Sequence, residues 1–208
     1  CQGDSVRLGS TSSAAGYNWL KDGIAISSDS SISVAAAGNY QLILTNQFGC
    51  VDSSEAVTVI VNPLPVAAID SNGSLSFCQG DSVVLASTCA AAGYNWLKDG
   101  VAISSDSSIS VAAAGTYQLV LTNAFGCVDS SEAVSVIVNP LPVAAIDSNG
   151  SLTFCAGDSV VLASTSAAAG YSWLKDGVAF SSDSSISVAA AGSYQLILTN
   201  SFGCIDSS

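Results

Sequence analysis

The chain has 208 residues, 16 of them acidic and four basic, so its formal net charge is −12. That charge argues against nucleic acid or an anionic membrane as a partner, because both are negatively charged themselves. The chain contains no histidine, which rules out a Ser–His or Cys–His catalytic pair. No Gly-rich phosphate loop precedes a helix, and no apolar run approaches the ~20 residues of a membrane span. We therefore expect neither an enzyme nor a membrane-spanning protein, and we expect no cofactor.

Short alternating strands separated by turn residues run from Cys1 to Phe77. Val6 and Leu8 share one face of a predicted strand, and Tyr40 and Leu42 share one face of another. Asn62-Pro63-Leu64-Pro65 is a stiff linker, because proline fixes φ and donates no hydrogen bond. About seven or eight strands and no helical period predict an all-β sandwich or barrel. In chain order, the predicted strands cover residues 5–10, 17–20, 24–26, 32–34, 40–44, 56–61, 66–69 and 75–77.

One stretch organises this pattern, and it reads Gly16-Tyr17-Asn18-Trp19-Leu20-Lys21-Asp22-Gly23. It returns at residues 93–100 and, with one change, at residues 170–177. Tyr17 and Trp19 are two positions apart, so they face the same side of a strand. Lys-Asp-Gly is a turn signal, since Asp favours turns and Gly tolerates positive φ. Each copy is therefore predicted to bury its Trp and then reverse the chain. The predicted core consists of Trp19, Trp96, Trp173, Tyr40, Tyr117, Tyr194, Leu42, Leu119 and Leu196.

The whole pattern repeats at a constant interval, since Cys1-Gln2-Gly3-Asp4-Ser5-Val6 recurs at Cys78 and, with one change, at Cys155. Repeats this alike are copies of one structural unit in series. We predict a first unit over residues 1–62 that lacks its first strand and a complete unit over 63–139. A third unit over 140–208 lacks its last strand. Since repeat arrays usually carry divergent end units, we interpret the chain as part of a longer array.

The motifs of each unit resemble an immunoglobulin-like (Ig-like) domain of the intermediate set. The similarity lies in Gly3-Asp4-Ser5-Val6-x-Leu8, Trp19-x-Lys21-Asp22-Gly23, Gly38-x-Tyr40-x-Leu42 and Thr45-Asn46-x-x-Gly49. With the Phe-Gly-Cys and Asn-Pro-Leu-Pro motifs, it is most similar to the Ig-like repeats of giant secreted surface proteins of Bacteroidetes. The resemblance implies Ig-like β-sandwiches joined end to end, secreted to the cell surface as adhesins or fibres. The inter-sheet disulfide of the family is missing, because Ser10 and Leu42 occupy its two positions.

In such a sandwich, Cys1 lies at the lower end, before the second strand, and Cys50 at the upper end, after the last hairpin turn. A strand of seven residues separates these ends by about 23 Å, whereas bridged Cα atoms lie within about 7 Å. This favours disulfides between neighbouring units, namely Cys1–Cys127 and Cys78–Cys204. Cys50 and Cys155 would then pair outside residues 1–208. Pairing within one unit, as in Cys1–Cys50, and free thiols remain alternatives.

The remaining candidate sites are weak. Cys89 replaces a serine of the other units and is expected to be unpaired. The acidic residues are scattered through turns without calcium-loop spacing, and zinc would need several convergent cysteines that the spacings do not supply, so we expect no metal. Ser5, Ser82 and Ser159 follow aspartate and precede valine, which is similar to the O-glycosylation acceptor of Bacteroidetes. This acceptor motif is short and weak.

Two functions fit this sequence. Near-identical units with disulfides between them are typical of the stalk or shaft of an extracellular fibre or giant adhesin. Its partners would be the neighbouring repeats and other copies of the chain. The alternative is an adhesive module that binds glycan or protein through exposed loops. The loops are mostly Ala, Ser and Gly, whereas binding loops usually carry aromatic and charged side chains, and this favours the shaft.

Overall fold

The computed structural model describes residues 1–208, which form 23 β-strands and no α-helix. No helix is therefore long and apolar enough to cross a membrane. We call residues 1–62, 63–139 and 140–208 repeats 1, 2 and 3; these bounds stay a prediction. Each hydrogen-bonded strand pair joins two strands of the same repeat.

The strands are short and follow the same order in each repeat. Repeat 1 contains β1 (Val6–Gly9), β2 (Gly16–Lys21), β3 (Ile24–Ser27), β4 (Ser31–Val34), β5 (Gly38–Thr45), β6 (Val51–Ser53) and β7 (Val57–Val59). Repeat 2 contains β8 (Ile69–Ser71), β9 (Ser76–Cys78), β10 (Val83–Ser87), β11 (Gly93–Lys98), β12 (Val101–Ser104), β13 (Ser108–Val111), β14 (Gly115–Thr122), β15 (Val128–Ser130) and β16 (Val134–Asn139). Repeat 3 contains β17 (Ile146–Ser148), β18 (Val160–Ser164), β19 (Gly170–Lys175), β20 (Val178–Ser181), β21 (Ser185–Val188), β22 (Tyr194–Thr199) and β23 (Ile205–Ser207).

Two facing sheets make up repeat 2, which contains the full set of strands. One sheet has the order β13-β10-β8, and the other has the order β12-β11-β14-β16-β9 with β15 also paired to β14. All pairs are antiparallel except β16 with β9, which run parallel. Repeats 1 and 3 keep the same pairings for the strands they contain. This strand order is that of an Ig-like β-sandwich, so the chain is a tandem of such sandwiches, as the sequence predicts.

The tryptophan of each repeat lies at the centre of its sandwich. Trp96 is fully buried and sits opposite Leu119 in the β11–β14 ladder. Its indole Nε1 donates a hydrogen bond of 2.9 Å to the carbonyl oxygen of Asp106, so its one polar atom is satisfied. Trp19 and Trp173 make the same bond to Asp29 and Asp183. The core of repeat 2 comprises Val83, Leu85, Trp96, Val111, Tyr117, Leu119, Leu121 and Val136.

The Lys-Asp-Gly turn after each Trp strand is a two-residue hairpin turn. Asp99 has φ of 51° and Gly100 has φ of 82°, the pair of positive values that a type I′ turn requires. The Asp99 carboxylate accepts a 2.8 Å hydrogen bond from the backbone N–H of Thr116, which ties the turn to the start of β14. A Cβ on Gly115 would lie 2.8 Å from Nζ of Lys98, so any larger residue there would displace the side chains of the turn.

The sequence predicts one last strand per repeat, over residues 56–61 in repeat 1. In repeats 1 and 2, the structure has two short strands in this region. In repeat 2 they are β15 and β16, and Ser131 lies at the break. The buried Ser131 Oγ accepts a 3.0 Å hydrogen bond from the backbone N–H of Leu119, and its own N–H donates to the Leu119 carbonyl at 2.8 Å. The Ser131 side chain thus takes the place of a backbone acceptor. The alternation of apolar and polar residues, from which strands are predicted, gives no sign of such a replacement.

Eight of the nine predicted core side chains are buried, and Tyr194 is the exception because it is only half-buried. In repeat 2, Val134 pairs with the equivalent Tyr117 across the β14–β16 ladder, and the neighbouring Val136 is part of the core. Residues 140–208 contain no counterpart of β16, so this covering strand is absent around Tyr194.

We expect Ser131→Ala to speed hydrogen exchange at the Leu119 amide. The substitution leaves this buried donor without an acceptor, which costs about 1–3 kcal/mol, or about a 5–150-fold faster exchange. The matched control is Ser54→Ala, because the hydroxyl of Ser54 accepts the same bond from Leu42 but Ser54 is exposed. Equal effects of the two substitutions, measured by NMR, would show that the burial of Ser131 is irrelevant.

Candidate functional site: the joint between repeats

Two disulfide bonds connect neighbouring repeats. Cys1 is bonded to Cys127 and Cys78 to Cys204, with Cα atoms 5.5 and 5.6 Å apart and 126 residues between the partners in each case. These are the two pairs that the sequence favours. Cys78 ends β9 at the lower end of repeat 2, whereas Cys204 precedes β23 at the upper end of repeat 3. Cys127 and Cys204 are almost completely buried, so each joint covers its sulfur atoms on the C-terminal side.

The linker between repeats 1 and 2 is held from both sides by hydrogen bonds. The backbone N–H of Gln2 in repeat 1 donates to the carbonyl oxygen of Asn62 at 2.8 Å. The side-chain amide Nδ2 of Asn123 in repeat 2 donates to the carbonyl oxygen of the next residue, Pro63, also at 2.8 Å. Successive carbonyl groups of the linker are therefore bound by different repeats, and this fixes where the linker lies between them.

The second joint reproduces the first, one repeat further along the chain. The N–H of Gln79 donates to the carbonyl of Asn139 at 2.8 Å, and Nδ2 of Asn200 donates to the carbonyl of Pro140 at 2.7 Å. The side chain of Asn139 is buried and donates to Oγ of Ser76, which anchors the start of this linker to β9. The two joints are thus built from the same contacts.

Asn123 has two tasks in the joint. Its Oδ1 accepts hydrogen bonds of 3.0 Å from the backbone N–H groups of Phe125 and Cys127, which shapes the turn between β14 and β15. Gly126 supplies the positive φ of 78° that this turn needs. Because Nδ2 of the same side chain binds Pro63, one residue positions both the cysteine and the linker. Sequence reasoning did not find this role of Asn123. The signal that could have found it is the Asn-x-x-Gly-Cys motif, which recurs in all three repeats.

Aspartates of the last strand add a second contact with the chain entering each repeat. Oδ2 of Asp206 accepts a 3.1 Å hydrogen bond from the N–H of Ala144, and Oδ2 of Asp129 is 3.4 Å from the N–H of Ala67. Each alanine lies two residues after the last proline of its linker. The entering chain is therefore fixed two residues after the prolines, a contact that no separate motif of the sequence marks.

Apolar side chains do not fill the first joint. Phe77, which lies beside Cys78 at the second joint, packs against the core of repeat 2. Phe125 is 65% exposed and Leu64 is 39% exposed. The disulfide and the hydrogen bonds described above therefore supply the contacts at the joint.

The other three cysteines are unpaired and exposed. Cys89 lies in the loop between β10 and β11, and only the hydroxyl of Thr88 approaches its sulfur, at 3.8 Å. Cys50 and Cys155 occupy the positions that would carry bonds to further repeats. Their pairing outside residues 1–208 stays a prediction.

The remaining candidate residues form no reaction centre. Ser5, Ser82 and Ser159 are exposed next to a turn, where a glycosyltransferase could reach them, and their modification stays a prediction. No three His, Cys, Asp or Glu side chains come together as metal ligands. The Lys98 ammonium is 2.7 Å from the Asp99 carboxylate; this hydrogen bond raises the pKa of Lys98 and lowers that of Asp99. Burial raises the pKa of Tyr117.

The chain has low similarity to known proteins, and no protein-family model and no curated protein matches it. The D1–D4 ectodomain fragment of ICAM-5 is similar over 99% of this chain and 71% of its own, with 14% identity and a TM-score of 0.43. Extracellular domains 3–5 of Drosophila OTK match over 100% and 91%, with 14% identity and a TM-score of 0.37. Fibronectin(III)-like modules of CbhA from Clostridium thermocellum match over 65% and 87%, with 14% identity and a TM-score of 0.38. Likenesses this low carry no functional argument, so the Ig-like assignment rests on strand order and register.

Proteolysis without reduction is expected to release two crosslinked peptide pairs, one joining Cys1 to Cys127 and the other joining Cys78 to Cys204. In a protein limited to residues 1–208, iodoacetamide added before reduction should alkylate Cys50, Cys89 and Cys155, because these thiols are exposed and unpaired there. Mass spectrometry identifies both sets. A peptide that joins Cys1 to Cys50 would show that the bonds lie within repeats.

Asn123→Asp is expected to loosen the first joint in reduced protein. The carboxylate keeps the acceptor for the turn amides but replaces the donor that binds Pro63, at a cost of about 0.5–1.5 kcal/mol. Residual dipolar couplings measure the alignment of each repeat separately. In the variant, the alignment of repeat 1 should differ more from that of repeat 2 than it does in the parent protein. The control is Asn46→Asp, since Asn46 shapes the same turn in repeat 1 without a linker partner. If both variants reorient the repeats equally, the bond to Pro63 does not hold the joint.

Proposed function

We propose that this chain is part of the shaft of an extracellular fibre or giant cell-surface adhesin, made rigid by disulfides between its repeats. The observation that carries this proposal is the recurrence of one complete joint in the next repeat, with the same disulfide and the same two linker hydrogen bonds. A shaft needs an interface that can be used again and again. A site that binds one ligand has no such need.

The disulfides support an extracellular location. Such bonds persist in oxidising compartments and are rare in the cytosol. Each bond closes a loop of 126 residues, which stabilises the chain by about 5 kcal/mol in the chain-entropy treatment. We also propose that the protein is not an enzyme, since the chain lacks histidine. The motif resemblance supports a surface protein of the kind that Bacteroidetes secrete, with other copies of the chain as partners in the fibre.

One observation favours adhesion as a second candidate function. The turn that follows β5, β14 and β22 carries an exposed aromatic side chain, Phe48, Phe125 or Phe202, with 80%, 65% and 63% of its surface accessible. Exposed aromatic side chains on turns are common in binding surfaces, and a ring of this kind could stack on a sugar. Three equally spaced rings would bind a repetitive polymer better than a single small ligand.

The shaft proposal predicts a narrow distribution of end-to-end distances in oxidised protein. Small-angle scattering and particle images of residues 1–208 should show one elongated shape, which broadens on reduction while the far-ultraviolet circular dichroism is unchanged. The circular dichroism should stay the same because neither disulfide lies within one sandwich.

A double substitution, Cys1→Ser with Cys127→Ser, provides the control, since it should loosen the first joint only. Equal flexibility of the oxidised and reduced proteins would overturn the proposal of a stiffened shaft. Saturable binding on a glycan array, lost on substitution of Phe125 by alanine, would favour the adhesive module instead.

A further inference from the structure

The two disulfides overlap along the chain. Each spans 126 residues, which is longer than one repeat, since the sequence that begins at Cys1 begins again at Cys78. Cys78 therefore lies inside the loop closed by Cys1 and Cys127, and Cys127 lies inside the loop closed by Cys78 and Cys204. We call the part that the two loops have in common, from Cys78 to Cys127, the shared segment. This overlap creates a covalent route through the array that is shorter than the backbone.

We propose that, within residues 1–208, the two disulfides redirect tension between Cys1 and Cys204 away from the linkers. Force applied at Cys1 crosses its bond to Cys127, runs backwards along the chain to Cys78, and crosses the second bond to Cys204. Residues 2–77 and 128–203 lie outside this route. With Cys50 and Cys155 unpaired, as in residues 1–208, the linkers that begin at Asn62 and Asn139 therefore set the angle between repeats without carrying tension between Cys1 and Cys204.

The positions of the two cysteines in repeat 2 agree with this route. Cys127 precedes β15, which pairs with the Thr122 end of β14, whereas β16 pairs with the opposite end of β14 at Gly115. Cys78 pairs with Asn139, the last residue of β16, three residues beyond the residue opposite Gly115. From Val128 to Asn139 the last strand covers about 36 Å at ~3.3 Å per residue. Tension therefore enters at one end of the sandwich and leaves at the other.

The route contains the strands that form most of the core. Strands β10 to β14 lie between Cys78 and Cys127, and they include Trp96 and six of the seven other buried residues of the repeat 2 cluster. The split last strand and the strands that follow the linkers are bypassed. Tension is thus carried by the best-packed part of the sandwich, and the parts with fewer contacts are relieved of it.

The route also limits how far the chain can extend if a repeat unfolds. A fully extended chain covers about 3.3–3.6 Å per residue, so the shared segment reaches about 160–180 Å. Without disulfides, the whole interval from Cys1 to Cys204 reaches about 670–730 Å. If only one of the two disulfides is present, the covalent route from Cys1 to Cys204 contains one repeat length of chain. This length equals the interval from Cys1 to Cys78 and reaches about 250–280 Å.

Single-molecule stretching of residues 1–208 tests this inference. The handles are attached through peptide tags at the two termini, and Cys89→Ser removes the exposed thiol of the shared segment. The final contour length between Cys1 and Cys204 should equal that of the shared segment in oxidised protein and that of the whole interval after reduction. The two single-bond proteins, Cys1→Ser with Cys127→Ser and Cys78→Ser with Cys204→Ser, should each extend by one repeat length.

Bonds within the repeats give a different set of lengths. In that case, the protein with Cys1→Ser and Cys127→Ser keeps only a bond from Cys155 to Cys204, and the chain from position 1 to Cys155, two repeat lengths, extends to about 510–550 Å. That value, or an oxidised chain that extends past one repeat length, overturns the inference. The result is independent of the proposed function, because a ligand-binding protein with the same bonds would give the same lengths. Failure of the shaft proposal would instead appear as equal flexibility with and without disulfides.

Discussion

The bond from Cys1 to Cys127, and its copy from Cys78 to Cys204, joins residues that no single sandwich contains. Each sandwich encloses its own core around a tryptophan, and at the first joint Phe125 and Leu64 stay exposed. Two small domains with such an interface would reorient freely on a short linker. A covalent bond across each linker removes this freedom without needing a large hydrophobic contact.

Polar side chains add hydrogen bonds that fix the linker, the turns and the strand ends. Asn123 binds a linker carbonyl, Asp99 holds a hairpin turn against the next strand, and Ser131 takes the place of a backbone acceptor. Each of these short side chains bonds to nearby backbone groups, which is the behaviour that makes Asn, Asp and Ser frequent in turns. The abundance of such residues in this sequence is therefore a structural property, because they fix turns and strand ends that a larger domain would fix by packing.

Features with a local cause were predictable from the sequence. The buried Trp96 follows from its spacing to Tyr94, and the reversal after it follows from Asp99 and Gly100. The choice of partner for Cys1 needed one further step, the length of a strand compared with the reach of a disulfide. Asn123 and Ser131 were missed as joint and core residues, because their partners are 60 and 12 residues away and no periodic pattern records a side chain that replaces a backbone group. The half-buried Tyr194 was missed for another reason, since residues 140–208 contain no counterpart of the covering strand β16.

The overlap of the two loops also bears on damage to the backbone. Every peptide bond between Cys1 and Cys204 lies inside at least one of the two closed loops, and those between Cys78 and Cys127 lie inside both. A protease that hydrolyses one peptide bond, even in the proline linker, therefore leaves the fragments covalently attached. In an array that continues this pattern, severing the polymer requires at least three separate breaks, because three stretches of chain pass from each disulfide to the next, so a long filament would tolerate isolated cuts by proteases.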